Sequence, residues 1–209
     1  MIKIFEDVLN KKEFDVFYNL KRFNGLRINK EETVAHHTYF VVFISRILAE
    51  NLFCDASYKL AISDMALLHD FKEMYDFDIN HTVKYNDFNG EEIREIIDKF
   101  VEYEFDKNFP NGTISNDWIR TFSESNGTYK TIIKTADWFS CVFYLRKELG
   151  MGNNNVVGEY RKSIRNFNKF CIKLELEVNA DESTIYKSGS DTFLKQLVNF
   201  SKQLLIENI

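Results

Sequence analysis

The chain of 209 residues contains a single proline, Pro110, and long stretches of Leu, Ile, Phe, Lys and Glu run without a breaker. A many-stranded sheet needs frequent turns, so this scarcity favours helices: the expected fold class is all-α, one domain over 1–209. Cysteine is also sparse. Cys54, Cys141 and Cys171 are an odd number in mostly apolar surroundings, without the short-spaced pairs of zinc sites or disulfide scaffolds, so reduced, buried thiols are expected. Basic residues are outnumbered, 27 Lys and Arg against 32 Asp and Glu, for a formal net charge of -5. Such a chain has no field for condensing on long nucleic acid, although a local basic pocket can still take a small anion. No apolar run approaches membrane-spanning length, and the start Met-Ile-Lys-Ile-Phe-Glu lacks a signal peptide's layout. A cytoplasmic protein with no membrane partner is therefore expected. Missing as well are a Gly-x-Ser-x-Gly elbow, a phosphate loop ending Gly-Lys-Ser/Thr, and a Gly-x-Gly-x-x-Gly turn. Their absence argues against serine hydrolase, kinase and dinucleotide enzyme readings.

What the chain has in abundance is apolar bulk, including 20 Phe, enough to fill a substantial core at this length. Its periodicity predicts helices at roughly 3–22, 32–52, 57–71, 89–106, 115–123, 128–149, 155–177 and 190–207. Asn-Gly pairs at 24–25, 89–90, 111–112 and 126–127 punctuate several of them. No fixed-period repeat or proline-rich linker suggests a second domain.

Three segments carry residues able to do chemistry. In Thr33-Val34-Ala35-His36-His37, helical spacing puts His37 on the stripe of Val34, Val41, Ile44 and Leu48, and turns His36 away. The opposite face, with Phe40, Phe43 and Ile47, is apolar too, so periodicity alone does not choose between the histidines. The run Leu67-Leu68-His69-Asp70 ends a predicted helix with an imidazole beside a carboxylate, both capable of binding a divalent cation. Taken alone, such a dipeptide also fits a solvated helix end. Asp137, in Lys134-Thr135-Ala136-Asp137-Trp138, shares a helix face with Ile133, Cys141 and Tyr144. A carboxylate on so apolar a face needs either a metal or an Arg or Lys partner. Two imidazoles and two carboxylates together suit a divalent transition metal with room for water or substrate.

In this order, His, His-Asp, Asp, the chain resembles the HD-domain phosphohydrolases, and within them the bacterial 5′-deoxynucleotidases, from about Leu20 to Leu149. Arg22-Phe23 stands where those enzymes have Arg-Trp, at the same spacing from the Val-Ala-x-His segment that holds His37. His69-Asp70-Phe71-Lys72-Glu73 matches their His-Asp-x-x-Glu. Asp78 followed by Val83-Lys84-Tyr85 matches their Asp and Val-Lys-Tyr, and Lys134-Thr135-Ala136-Asp137 their Lys-x-Ala-Asp. Three departures are visible: His36 replaces an acidic residue, Ile79-Asn80-His81-Thr82 replaces a proline-rich stretch, and Phe23 replaces tryptophan.

The resemblance implies an HD-domain helical bundle in which His37, His69, Asp70 and Asp137 hold one divalent metal, a transition metal or Mg. It implies that Glu73 and Asp78 act on the water or the leaving group. Arg22, Phe23 and Lys84 would contact a nucleotide whose phosphate monoester is hydrolysed without a covalent intermediate. His36, Lys72, His81 and Trp138 are read as structural or rim residues. A homodimer is a family expectation, with the helices over 155–207 completing the core or forming its interface. Removal of pyrophosphate or triphosphate from a nucleotide is the alternative within this chemistry, and a non-catalytic nucleotide-binding or interaction protein the alternative outside it.

Overall fold

The computed structural model describes residues 12–23, 25–71, 73–76, 90–108, 127–181 and 185–207. Among these residues the α-helices are α1 Lys12–Asn19, α2 Val34–Leu52, α3 Ala56–Leu68, α4 Glu73–Asp76, α5 Gly90–Asn108, α6 Gly127–Gly150, α7 Val157–Ala180 and α8 Ser190–Glu207. A single 3₁₀ turn, Asn154–Val156, leads into α7. No strand occurs among them, only isolated bridges pairing Lys21 with Thr33 and Phe53 with Tyr186. The fold is all-α, as the scarcity of breakers predicts.

Helices α2 and α7 each bury one stripe. On α2 it is Val34, His37, Val41, Ser45, Leu48 and Leu52, on α7 Tyr160, Ile164, Phe167, Cys171, Leu174 and Val178, both at the spacing of three and four that a helix requires. Helix α6 carries buried residues around more of its circumference, including Ile132, Ile133, Ala136, Cys141 and Leu145. It packs against α2 and α3 on one side and α7 on the other, while α8 covers α7. One apolar cluster joins α2, α3, α6, α7 and α8 around Phe53, Ile62 and Ile132, and a second joins α6, α7 and α8 around Leu145, Ile164 and Phe167.

Helix ends follow their capping residues. Thr33 starts α2 by accepting from the His36 N–H at 3.3 Å, and Asp55 starts α3 by accepting from the Ser57 N–H at 2.7 Å. Helix α3 stops at Leu68, earlier than the predicted 71, because His69, Asp70 and Phe71 form a turn. Glu73 then opens a helix of its own instead of extending α3. Cys54 is exposed, contrary to expectation: Phe53 takes the core position at the end of α2 and the next residue faces outward. Cys141 and Cys171 are buried as expected, and burial pushes both thiols up to about 12. The predicted helix at 115–123 and residues 3–11 of the first one lie outside the described residues. No helix among the described residues is long and apolar enough to cross a membrane.

Candidate metal centre

His37 lies in the first turns of α2, where the Thr33 cap fixes the helix start and hence which ring points inward. Its side chain is fully buried, whereas His36 is exposed with Nδ1 3.1 Å from the Thr33 hydroxyl. His69 follows the last residue of α3, where the carbonyls of the final turn lack partners within the helix. One of them, Ala66 O, lies 2.7 Å from His69 Nδ1. A carbonyl only accepts, so Nδ1 carries the proton and, in a neutral ring, Nε2 carries the lone pair. Asp70 comes next in the same turn, and Asp137 projects from the middle of α6.

These four side chains converge. His37 Nε2 is 3.4 Å from Asp70 Oδ2 and 3.1 Å from Asp137 Oδ1, and His69 Nε2 is 3.1 Å from the same Asp70 oxygen. The two rings are 5.4 Å apart between centroids. Ligand atoms of His37, His69 and Asp137 all fall within 4.8 Å of one another, as a shared cation requires. Both Nε2 atoms are buried, and their close neighbours are the Asp70 and Asp137 carboxylates with no hydrogen-bond partner besides. At His69 this sets a lone pair against a carboxylate, and two carboxylates converge on His37 Nε2, an arrangement that a cation between them would stabilise. Two imidazoles with carboxylates are a donor set for a divalent transition metal, so the residues fit the group.

The surrounding charges act in the same direction. Burial alone would raise the Asp137 carboxyl, but Lys134, with Nζ 2.9 Å from Oδ2, and His37 hold it far below the usual range. Burial is likewise overruled at Asp70 by His69 and His37. At His69 burial disfavours the charged ring, and the Asp70 carboxylate outweighs it and raises the pKa. Both aspartates are therefore anions ready for a cation.

Arg22 reaches this cluster from the segment before α2. Its Nη1 is 2.5 Å from His37 Nδ1 and 3.3 Å from Glu32 Oε2, and its Nη2 is 3.8 Å from Cys141 Sγ. Phe23 has a positive φ of 59°, and its ring stacks on Tyr144 at 5.1 Å between centroids. That conformation is costly for a bulky side chain and persists only where the surroundings enforce it. The following loop is tied to the far end of α6. The buried Glu148 carboxylate accepts from the backbone N–H groups of Asn29 at 2.7 Å and Lys30 at 2.9 Å, and from the Asn153 amide at 2.8 Å. Tyr144 donates to the Lys30 carbonyl.

Of the residues singled out in the sequence, His37, His69, Asp70 and Asp137 come together, and Arg22 stands beside them. Glu73 is half-buried, with its backbone N–H bonded to the Asp70 carbonyl at 2.9 Å. Trp138 packs at the edge of the second apolar cluster and the His36 side chain is exposed. Lys72, Asp78, His81 and Lys84 lie outside the described residues. Sequence reasoning missed the pairing of Lys134 with Asp137, and also Ser140, whose Oγ is 3.0 Å from His37 Nδ1. A spacing of three from Asp137 is the one signal that could have flagged Ser140.

A helical scaffold gathers two histidines and two aspartates at one buried point able to hold a cation, and the family model that it matches is one of phosphohydrolases. The chain belongs to the YfbR-like 5′-deoxynucleotidase family, whose model matches residues 14–181. No curated protein matches it significantly. Among solved structures it is similar to the PH0347 protein from Pyrococcus horikoshii OT3, at 20% identity and a TM-score of 0.57, over 84% of this chain and 96% of that one. It is similar also to an HD-domain phosphohydrolase from Listeria innocua, at 20% identity and a TM-score of 0.53, over 92% of this chain and 96% of that one.

Proposed function

We propose that the protein hydrolyses a deoxynucleoside 5′-monophosphate to nucleoside and phosphate, with His37, His69, Asp70 and Asp137 holding one divalent metal ion. The observation that supports this most directly is the pair of buried Nε2 atoms facing the Asp70 and Asp137 carboxylates, in a chain of this family. Such an ion supplies a Lewis acid that acidifies water and offsets charge on phosphoryl oxygens. The chain's own groups supply the proton handling and the grip. Glu73 takes a proton from the attacking water, a contribution of about 10²–10⁴-fold for a well-placed base. The bond from the water oxygen to phosphorus forms, the bond from phosphorus to the sugar 5′ oxygen breaks, and that oxygen leaves with the proton that Glu73 took from the water, returned directly or through solvent. Asp78 assists the water, the leaving group or the sugar hydroxyl. Arg22, a fork of donors with no acceptor, grips the phosphoryl group, and Phe23 and Lys84 border the nucleotide.

The test is kcat/KM for dAMP, AMP and dATP with several divalent metals, alongside metal analysis. A buried polar group left unpaired by an added 2′-hydroxyl costs about 1–3 kcal/mol, so dAMP should exceed AMP by roughly tenfold or more. Equal rates on dAMP and AMP end the deoxy reading. Preference for dATP moves the protein to triphosphate hydrolysis, and absence of metal-dependent turnover moves it to the non-catalytic alternative.

A further inference from the structure

His37 Nδ1 has two neighbours that differ in one respect. Arg22 Nη1 can only donate, whereas the Ser140 hydroxyl can donate or accept. A neutral imidazole that gives its Nε2 lone pair to a cation carries its proton on Nδ1, and a buried N–H needs an acceptor. Arg22 cannot serve. At His69 the same need is met by the Ala66 carbonyl. At His37 the group able to meet it is Ser140, which is 1% exposed and sits on α6 one turn after Asp137. Two other buried hydroxyls on this helix, Thr131 and Thr135, bond the carbonyl four residues back, at 3.0 and 2.7 Å. The Ser140 hydroxyl is instead directed across to α2.

We infer that Ser140 is a positioning residue for the metal centre: its Oγ accepts the His37 Nδ1–H and holds the ring with Nε2 free for the cation, while Arg22 favours the opposite tautomer. The inference rests on the metal-site reading proposed above. Loading the site moves the proton of His37 from Nε2 to Nδ1, with no net gain or loss. Arg22 then loses its acceptor on that ring and is released toward phosphoryl oxygens. A donor and an acceptor competing for one nitrogen thereby couple metal occupancy to anion binding.

The experiment uses the full chain in a Cys54→Ser background, which removes the exposed thiol, and measures Zn²⁺ affinity by chelator competition for Ser140, Ser140→Ala and Ser140→Thr. Loss of a partner that orients a metal-bound histidine weakens affinity about 10–100-fold, and that is the fall expected for Ser140→Ala. Thermal unfolding without metal should barely change in this variant, because Arg22 still satisfies Nδ1 there. Ser140→Thr keeps the hydroxyl and should recover most of the affinity. Long-range ¹⁵N correlation spectra supply a second readout, independent of the threonine fitting: His37 should carry its proton on Nε2 without Zn²⁺ and on Nδ1 with it. Wild-type affinity in Ser140→Ala, or an unchanged tautomer on loading, overturns the role of Ser140. A chain that binds no Zn²⁺ even with Ser140 present overturns the metal reading as well.

Discussion

His69 and Asp70 illustrate how one turn can supply two proposed ligands with opposite needs. The imidazole is oriented by a carbonyl that the end of α3 leaves unpaired, and the carboxylate lies between both Nε2 atoms. Replacing His69 or Asp137 with Ala should abolish metal binding, checked by metal analysis of the purified variants; full occupancy in both would sink the assignment. Glu73→Ala should retain the metal and lose about 10²–10⁴-fold in kcat, since it removes the proposed proton acceptor and leaves the proposed ligands in place. Unchanged turnover would take Glu73 out of the reaction. At this scale the sequence was legible in part: the stripe of Val34, Val41 and Leu48 put His37 on an apolar face, but the second apolar face of Phe40, Phe43 and Ile47 left the choice between the histidines open, and it is the fold that buries His37 and exposes His36. The sequence was silent on Ser140, because a serine in a helix ordinarily bonds its own backbone and nothing local announces a partner 103 residues away.

Among the elements, α8 begins and ends where periodicity places it, and α2, α6 and α7 agree with their expected ranges within a few residues. Their stripes are long and uninterrupted. The helix after Asp55 was read too long because Phe71 continues the apolar spacing, while the turn at 69–71 and the separate start at Glu73 depend on packing that no local rule encodes. The anchoring of residues 25–33 to α6 was also unreadable, since it depends on Glu148 being buried. Burial by itself would raise this carboxyl, but bonds from Asn29, Asn153 and Lys30 override it and hold it below the ordinary range. A carboxylate depressed in the folded state contributes stability that is complete above the unfolded glutamate value of about 4.3 and is lost as pH falls through the folded value. Glu148→Gln should therefore flatten the acid limb of a stability-against-pH curve. It should also cost about 1–3 kcal/mol at neutral pH, since an amide donor now faces backbone donors. Urea unfolding at pH 3–7 measures both, and parallel curves for the two proteins would refute the assignment.

For the whole molecule, the proposed ligands come from three separate helical segments, α2, the end of α3 and α6, so a bound ion favours the folded chain over the unfolded one. Free metal at about 100 times its Kd should add about 2.7 kcal/mol, seen as a higher melting temperature that Asp137→Ala does not show. A melting temperature indifferent to every divalent metal tested would argue against a site built across these helices. Helix α6 also has a consequence beyond stability. Asp137 and Glu148 are eleven residues apart, three turns on nearly the same face, and a rise of about 1.5 Å per residue sets them about 16 Å apart. The helix is thus a ruler with the metal cluster at one mark and the clamp on residues 29 and 30 at the other. Adding or removing one residue between the marks would swing one end about 100° around the axis relative to the other. The tolerated changes of this stretch should therefore be substitutions, and its length matters to the proposed metal site as much as any proposed ligand does.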